Sequence, residues 1–304
     1  MDVSIIIVNY NTKELLRNCI QSIYNHKTQS SYEIIVVDNN SHDGSCEMIK
    51  SEFTKVKLIE SSENLGFGRA NNLGLKHASG SYFFFLNSDT VLLNNAIDYF
   101  VEFCAQRKEL KIGAVGSILI DSDNRNMHSY GTFITIKSLL LDILYKYKGI
   151  FRKAEVLNDI YLHPESVSTP ICVEYITGAD LFVPAMVVDD IGDFDPRFFM
   201  YCEEVDWQKR MCDSGYGRFI IPGPKIIHLE GASAPSTSRH RSIGRILNTF
   251  VSQIQYIAKH MSRGKYLLFR ICFASLWILP ICFRADSFKD KLRVIKVLFA
   301  PVQQ

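Results

Sequence analysis

The sequence predicts an α/β fold with a mostly parallel central sheet flanked by helices. Runs dominated by apolar residues at Val3–Val8, Glu33–Val37 and Tyr82–Leu86 do not alternate polar and apolar side chains, which is typical of strands buried on both faces. Helical patterns separate these runs, and strands that alternate with helices form parallel sheets with right-handed crossovers. At 304 residues and 47% hydrophobic content, the chain can build a sizeable core.

The first half of the chain alternates regularly between strands and helices. The helix after the first strand is predicted from apolar residues spaced three and four apart, which line one face. In order, the elements are strand Val3–Val8, a helix carrying Leu15, Leu16, Cys19, Ile20 and Ile23, strand Glu33–Val37, a short helix carrying Met48, Ile49 and Phe53, strand Val56–Glu60, a loop and helix from Asn64 to about His77, strand Tyr82–Leu86 and helix Asn95–Arg107.

The second half is less regular, and residues 137–170 show mixed helix and loop signals, with prolines as breakers. A helix that begins at Glu203 is expected to run to about Ser214, because Gly215 can stop it in the left-handed conformation. The other predicted segments are strand Ile112–Ile120, a hairpin-like turn at Asp121–Asn126 with Met127–Ile136 extended beyond it, strand Cys172–Pro184, helix Ala185–Ile191, edge strand Arg218–Ile221, a closing segment Ile226–His228 and a mobile loop at Gly231–Ser238.

Charge divides the chain into two parts. Residues 239–304 carry a net charge of +10, whereas residues 1–238 carry −8. We therefore predict an α/β domain at 1–238, with halves at 1–95 and 96–238, and a helical tail at 239–304. A tail that is both basic and apolar suits an anionic membrane surface better than a nucleic acid.

The tail contains an uncharged run of thirteen residues, Ile271–Phe283, between Arg270 and Arg284. As a helix this run would span about 20 Å, which is short of the roughly 30 Å hydrocarbon core of a bilayer. Two interpretations stay open. The run is either an interfacial or re-entrant segment whose flanking arginines snorkel, or a core helix packed under the folded domain.

The cysteines and the amino terminus indicate a cytoplasmic location. The eight cysteines are scattered, without a Cys-x-x-Cys pair, which favours free thiols in a reducing compartment over a zinc site or disulfide framework. The segment Met1–Ile5 lacks the basic region that precedes the apolar run of a signal peptide.

Polar clusters follow three predicted strands, at Asn9–Asn11, Asp38–Ser41 and Asn87–Asp89. In a parallel sheet these clusters share the carboxyl edge, where open α/β sheets bind their ligands. Asp89 either caps the turn that follows it or binds a cation. The candidate ligands and acids of the chain are Asp38, Asp89, Glu203, Glu204, Asp206 and His228. Oxygen ligands with one imidazole suit Mg²⁺ or Mn²⁺ bound together with a diphosphate.

Several other chemistries lack their motifs in this sequence. There is no Gly-x-x-x-x-Gly-Lys-Ser/Thr phosphate loop and no Gly-x-Ser-x-Gly nucleophile elbow. Gly66 and Gly68 lack the third glycine of a dinucleotide-binding turn.

Eight motifs, in order and at compatible spacings, resemble those of the family-2 glycosyltransferases of the GT-A fold, most closely the bacterial rhamnosyltransferase-like branch. The similarity covers about residues 2–232. The motifs are Ser4-Ile-Ile-Ile-Val-Asn-Tyr-Asn, Val36-Val-Asp-Asn-Asn-Ser, Asn64-Leu-Gly-Phe-Gly-Arg-Ala-Asn-Asn, Leu86-Asn-Ser-Asp, Gly178-Ala, Gly192-x-Phe-Asp, Phe199-Met-Tyr-x-Glu-Glu-x-Asp and His228.

The resemblance implies a metal and nucleotide-sugar site. Asn87-Ser88-Asp89 stands at the family's Asp-x-Asp motif, so Asp89 would bind a Mg²⁺ or Mn²⁺ ion that His228 also reaches. Asn87 would keep hydrogen bonding to ribose or phosphate but gives up one charge. Asp38 would accept from the base or ribose, with turn capping through Ser41 as the alternative. The implied nucleotide-sugar-binding residues are Asn9, Tyr10, Asp38, Asn64, Gly66, Arg69 and Asn87.

The resemblance also places a catalytic base at Glu204, which would take the proton of the acceptor hydroxyl in an inverting transfer. Family members usually carry Asp at this position, and Glu is one methylene longer, so Glu203 stays an alternative base. Asp206 would either support the acceptor or cap the helix. Trp207 would either stack on a sugar or pack in the core.

As a whole, the resemblance implies transfer of a sugar, with dTDP-rhamnose as one candidate among dTDP-, UDP- and GDP-linked donors. The acceptor would be a polyprenyl-diphosphate-linked or other glycan in surface polysaccharide synthesis, at the inner face of the plasma membrane, and no nucleic-acid partner is expected. One alternative is a non-catalytic nucleotide-sugar-binding scaffold of the same pathway. Another is a nucleotidyltransferase, which would need a Gly-rich loop with a basic residue where this chain has Asn9–Thr12.

Overall fold

The structure, a computed structural model, describes residues 1–141, 164–229, 239–283 and 288–299. The loop predicted at Gly231–Ser238 lies outside the described residues. The chain forms two units. Of the described residues, the first unit contains 1–132, 164–196 and 203–229, and the second contains 133–141, 197–202, 239–283 and 288–299.

Thirteen strands lie in the described part of the first unit. They are β1 (Val3–Asn9), β2 (Tyr32–Asp38), β3 (Lys57–Glu60), β4 (Tyr82–Asn87), β5 (Thr90–Leu92), β6 (Ile112–Gly116), β7 (Leu119–Ile120), β8 (Tyr130–Gly131), β9 (Ile171–Cys172), β10 (Tyr175–Ile176), β11 (Asp180–Pro184), β12 (Gly217–Ile220) and β13 (Ile226–His228).

Eight of these strands form a mixed, mostly parallel sheet in the order β3-β2-β1-β4-β11-β6-β12-β9. The pairs β1–β2, β1–β4, β2–β3 and β6–β12 are parallel, whereas β11 and β9 run antiparallel to their neighbours. Two smaller sheets, β10-β8 and β5-β13-β7, complete the unit. The predicted α/β fold with a mostly parallel sheet is therefore confirmed.

Helices flank the sheet and make up most of the described second unit. The helices of the first unit are α1 (Lys13–Tyr24), α2 (Ser45–Glu52), α3 (Phe67–Leu75), α4 (Ala96–Gln106), α5 (Ala185–Ile191) and α6 (Glu203–Asp213), and those of the second are α7 (Arg239–His260), α8 (Arg263–Phe283) and α9 (Phe288–Phe299). Gly215 has φ of +80° and follows the end of α6, as predicted.

Both faces of the central strands are buried, as their unbroken apolar runs predicted. Ile5 and Ile7 of β1 pack in a cluster with Leu16 of α1, whereas Ile6 packs in the opposite cluster with Phe85 and Trp207. All three isoleucines are fully buried. The sheet therefore separates two apolar layers, and its polar groups come to the surface only at the strand ends.

Three strand predictions were wrong. The predicted strand Ile112–Ile120 is two strands, because β6 lies in the main sheet while β7 pairs with β13 in a separate one. The predicted strand Cys172–Pro184 is three short strands, because β10 pairs with β8 in a separate sheet while β11 joins β4 in the main one. The predicted edge strand at Arg218–Ile221 is an inner strand, β12, which pairs with both β6 and β9. Arg218 tolerates this burial because its guanidinium donates to the carbonyl oxygens of Tyr216 and Glu174, at 2.6 and 3.0 Å.

The second unit has its own aromatic core. Phe250 of α7 packs against Phe273 and Trp277 of α8, with ring centroids 5.4 and 4.6 Å apart. The apolar run predicted at Ile271–Phe283 forms the last part of α8, where Phe273 is buried and Ile271 is 67% exposed. Among the helices described, none has both the length and the apolar character needed to span a bilayer.

The substitution Gly80→Ala tests the tight entry to β4. An added Cβ would lie 2.5 Å from the Ser4 amide nitrogen and 2.8 Å from the Tyr82 carbonyl oxygen, so the backbone must shift. We expect a loss of roughly 1–3 kcal/mol in the free energy of unfolding, measured by chemical denaturation. Gly264→Ala on α8 is the control, because its Cβ meets no atom within 4 Å. Equal unfolding midpoints for the two variants would contradict the tight packing.

Candidate active site

A hydrogen-bond chain joins the carboxyl ends of β2, β1 and β4. Asn9 Nδ2 donates to Asp38 Oδ2 at 2.8 Å, and Asn9 Oδ1 accepts from Thr12 Oγ1 at 2.6 Å. Thr12 Oγ1 in turn lies 2.9 Å from Ser88 Oγ. The three polar clusters predicted from the sequence therefore do meet along one edge of the sheet.

Within this edge, Asp38 and Asn9 are buried and Tyr10 is exposed. Asp38 Oδ1 accepts from the Ser41 amide at 2.8 Å, so the turn-capping role that the sequence left open is present. Asp38 is 2% exposed and Asn9 is fully buried, whereas Tyr10 is 47% exposed. Contact of these residues with a base or ribose stays a prediction, for which Tyr10 offers the most accessible surface.

A second network shapes the turn before α3. Gly66 has φ of +81°, a left-handed conformation that suits glycine. Asn39 Nδ2 donates to Asn64 Oδ1 at 2.9 Å and to the Gly66 carbonyl at 3.2 Å, and Asn39 Oδ1 accepts from the Leu65 amide at 2.8 Å. The sequence analysis missed the role of Asn39, although its place directly after Asp38 at a strand end is a usable signal.

The predicted metal-binding pair lies together at the end of β4. His228 Nε2 is 3.3 Å from Asp89 Oδ1 and 3.4 Å from Asn87 Nδ2. The antiparallel pairing of β13 with β5 sets this geometry, because it places His228 opposite Thr90, next to Asp89. The amide of Leu229 also donates to the Asp89 carbonyl at 2.9 Å, which holds the end of β13 in place.

The chemistry of this pair fits one class of metal ion. In the part of the chain that the structure describes, no three His, Cys, Asp or Glu side chains converge as a complete metal cage. Mg²⁺ and Mn²⁺ do not require one, since such ions bind through one or two protein ligands while phosphate oxygens and water fill the other positions. Asp89 and His228 can supply a hard oxygen and an imidazole nitrogen for that purpose.

The three acids of α6 have different surroundings. Asp206 is fully buried and accepts from Arg210 Nε at 3.1 Å. Glu203 is 3% exposed and packs against α3, since a Cβ at Gly68 would lie 3.5 Å from the Glu203 Cβ. Glu204 is only partly buried, and desolvation raises the pKa of its carboxyl. Of the three, Glu204 is therefore best placed to exchange a proton with a bound molecule.

Gly178 lies between α6 and the end of β4. The amide of Asn87 donates to the carbonyl of Ala179 at 3.0 Å. A Cβ at neighbouring Gly178 would lie 3.1 Å from the Phe67 ring and 3.9 Å from the Glu204 Cβ. Gly178 therefore allows the Phe67 ring to approach closely, and it lies beside Glu204 next to the residue that bonds Asn87.

Hydrogen bonds tie α6 to β10 and to the residue that follows α5. Gln208 bonds both the amide and the carbonyl of Ile176, at 2.8 and 2.6 Å, which ties α6 to β10. Trp207 is fully buried and its Nε1 donates to the Gly192 carbonyl at 2.7 Å. Of its two predicted roles, the structure therefore shows core packing.

Arg69 contacts the loop that follows α5. Its Nε donates to the Pro196 carbonyl at 2.8 Å. On the same helix, the side chain of Asn72 bonds both the amide and the carbonyl of Phe194, at 3.0 and 2.7 Å. Asn64, Gly66 and Arg69, which were predicted to bind the nucleotide sugar, thus have structural partners around α3.

A buried acid lies behind the site. Asp180 of β11 is fully buried, and its Oδ2 accepts from both the amide and the hydroxyl of Ser117, at 2.7 and 2.6 Å. Burial raises the pKa of the Asp180 carboxyl to about 7, and the Ser117 hydrogen bonds and the charge of His228 only partly oppose this. Sequence analysis missed Asp180, because a single acid inside a strand prediction carries no motif of its own.

The chain matches the model of a known protein family. The model of "Glycosyl transferase family 2" matches residues 4–160. An N-acetylglucosaminyl-diphospho-decaprenol L-rhamnosyltransferase of Mycobacterium tuberculosis is 23% identical over 212 residues, which cover 66% of this chain and 67% of that protein.

Solved structures share the fold. A mannosyltransferase of Pyrobaculum calidifontis in complex with GDP-Man and Mn²⁺ superposes with a TM-score of 0.56 at 15% identity, covering 95% of this chain and 77% of that one. GalNAc-T7 with UDP, GalNAc and Mn²⁺ superposes with a TM-score of 0.61 at 14% identity, covering 97% and 54%. The central sheet and its flanking helices are thus those of the GT-A fold.

The substitution Asp180→Asn tests the buried acid. A carboxyl whose pKa is raised from 3.8 to about 7 on folding binds more protons in the native state than in the unfolded state. Its contribution to stability is therefore lost as pH rises through this window, by up to about 4 kcal/mol. Asp180→Asn should remove that part of the decline in urea-unfolding free energy between pH 4 and pH 7.

Asp189→Asn is the matched control, because Asp189 is an exposed acid of the same unit. The slope of stability against pH is the readout, so a constant loss of stability in Asp180→Asn does not obscure the result. Parallel slopes for wild type and Asp180→Asn would show that Asp180 is ionised in the folded protein at low pH.

Proposed function

Since this chain belongs to glycosyl transferase family 2, we propose that it is an inverting, metal-dependent enzyme that moves a sugar from a nucleotide donor to a lipid-linked glycan. The observation that carries this proposal is the meeting of three groups on one sheet edge. These are the Asp89–His228 pair, the strand-end network of Asn9 and Asp38, and the partly buried Glu204 beside Gly178. An inverting transfer needs an ion site, a nucleotide site and a base in one place.

Glu204 is the proposed catalytic base. Desolvation raises the pKa of its carboxyl, and a more basic carboxylate accepts a proton from a hydroxyl more readily. Glu204 would hold the acceptor hydroxyl while the hydroxyl oxygen attacks the anomeric carbon of the donor sugar. Its carboxylate would take the hydroxyl proton as the bond between that carbon and the diphosphate breaks. Glu203 is the weaker candidate because it is 3% exposed.

The Asp89–His228 pair is the proposed ion site. When bound, Mg²⁺ or Mn²⁺ stabilises negative charge on the leaving diphosphate. Asn87 lies beside the pair, and its amide can donate to a ribose or phosphate oxygen. Asn9, Asp38 and Tyr10 would surround the base and ribose, with Tyr10 supplying an exposed ring.

The donor and acceptor are proposed by analogy with the relatives. The similar mycobacterial protein is named as a rhamnosyltransferase that acts on a decaprenol-linked sugar, which supports dTDP-rhamnose as one candidate donor and a polyprenyl-diphosphate-linked acceptor. The structurally similar enzymes hold GDP-Man or UDP, so GDP- and UDP-sugars belong in the same test. Such an acceptor would place the enzyme at the inner face of the plasma membrane, in surface polysaccharide synthesis.

Asp89→Ala tests the ion site through donor binding. A ligand that binds only the native state raises its melting temperature, so a panel of UDP-, GDP- and dTDP-sugars with and without Mn²⁺ should identify the donor in the wild type. Asp89→Ala should lose the Mn²⁺-dependent part of that shift. Asp123→Ala removes an exposed acid that is not part of the predicted site, and this variant should keep the Mn²⁺-dependent shift in melting temperature. An unchanged shift in Asp89→Ala would exclude Asp89 as a ligand.

Glu204→Gln tests the base. The amide keeps the size of the side chain but cannot accept the proton, so donor binding should persist while transfer falls by roughly 10²–10⁴-fold. Hydrolysis and transfer of the identified donor are the measurements, and Glu203→Gln, which removes the alternative base, shows which of the two glutamates the transfer needs. Full activity in Glu204→Gln would remove this residue from the mechanism. A wild-type protein that binds the donor but turns none over would instead support the scaffold alternative.

A further inference from the structure

Helix α9 exposes a continuous apolar stripe. Phe288, Leu292 and Phe299 are 79%, 39% and 62% exposed, and their spacing of four and seven residues places them on one side of the helix. The residues Val294 and Leu298 lie on a different side and are buried. The helix is therefore apolar on two sides, one buried and one exposed.

Helix α8 shows the same division. Leu267, Leu268 and Ile271 are 53%, 61% and 67% exposed, whereas Phe269 and Phe273 are buried in the aromatic core of the unit. We name the six exposed side chains of the two helices the tail apolar stripe: Leu267, Leu268, Ile271, Phe288, Leu292 and Phe299. Single exposed apolar residues are ordinary on protein surfaces, but a recurring set on neighbouring helices indicates a binding surface.

Basic side chains accompany the stripe. Arg263 and Lys265 are exposed at the start of α8, and Arg293 and Lys296 are exposed on α9. On a helical wheel, Lys296 lies about 60° from the centre of the α9 stripe, whereas Arg293 lies about 120° from it. Residues 239–304 carry a net charge of +10. A second copy of this chain would bring like charges together on this surface, whereas a negatively charged partner would neutralise them.

We propose that the tail apolar stripe and its basic neighbours bind the surface of an anionic lipid bilayer. The apolar side chains would enter the boundary between head groups and acyl chains while the basic ones contact lipid phosphates, as in interfacial helices. The biological role of this lipid binding rests on the proposed function, because a lipid-linked acceptor is presented at a membrane surface. Its physical support comes from the exposed side chains and charge of the second unit alone.

Vesicle co-sedimentation of the full chain tests this surface. Wild type should sediment with vesicles of phosphatidylcholine and phosphatidylglycerol, and much less with phosphatidylcholine alone or at high salt. Phe288→Ser/Phe299→Ser should weaken binding at least about tenfold, because both rings lose their apolar contact. Lys265→Glu/Lys296→Glu should weaken binding to the anionic vesicles by about as much or more, without removing any apolar side chain.

Matched controls lie on the first unit, where Met186→Ser removes an apolar side chain that is 61% exposed and Lys55→Glu reverses an exposed charge. Both controls should bind vesicles like the wild type, and circular dichroism should show that all variants fold. Wild type that stays in solution with anionic vesicles, or stripe variants that bind as well as the controls, would overturn the proposal. A stripe variant that only turns a dimer into a monomer would overturn it too, in favour of a contact between copies.

The assay contains neither donor nor metal ion, so it separates the two proposals. Vesicle binding without any sugar transfer would contradict the proposed function and leave the lipid surface standing. Transfer to a soluble acceptor without vesicle binding would contradict the lipid-binding surface and leave the proposed function standing.

Discussion

The in-register parallel pairing of β1 with both β2 and β4 is the constraint on which the site depends. It sets Asn9 opposite Asp38 and Val8 opposite Asn87. The three strands, which are far apart in the sequence, therefore end side by side at the same edge of the sheet. The apolar residues of these strands are buried on both faces, and a slip of one residue would turn each apolar set to the wrong side. Core packing thereby fixes the register, and the register fixes the distances from Asp38 through Asn9 and Thr12 to Ser88.

The sequence contained enough information for this part of the fold. Buried parallel strands read as unbroken apolar runs, and their ends are marked by Asn9, Asp38 and Asn87, so both the strands and the shared edge could be predicted. The second half was harder, because its strands are short and their pairing is non-local. Whether Gly217–Ile220 is an inner or an edge strand depends on the two-residue strand β9, which no periodicity reveals. Asn39 and Asp180 were missed for a related reason, since their roles lie in hydrogen bonds to distant backbone and side-chain groups.

The acids of α6 show what structure adds to a motif. In the sequence, Glu203, Glu204 and Asp206 are three carboxylates in one turn, and nothing local ranks them. In the fold, Asp206 is bonded to Arg210, and Glu203 faces α3. Glu204 lies beside Gly178 and is only partly buried. Tertiary contacts thus give Asp206 and Glu203 structural partners, and Glu204 remains the candidate for proton transfer.

The amide at Asn87 has an electrostatic consequence for the proposed reaction. A carboxylate at this position would place a second negative charge near Asp89, and like charges at short range oppose each other strongly in a partly buried site. With Asn87, Asp89 is the only carboxylate among Asn87, Asp89 and His228, so the site carries less negative charge than two carboxylates would give it. Such a site attracts a divalent ion less strongly by itself, but it also repels an anionic diphosphate less. The donor's phosphates then supply ligands that the protein lacks, so ion and donor should each strengthen the binding of the other.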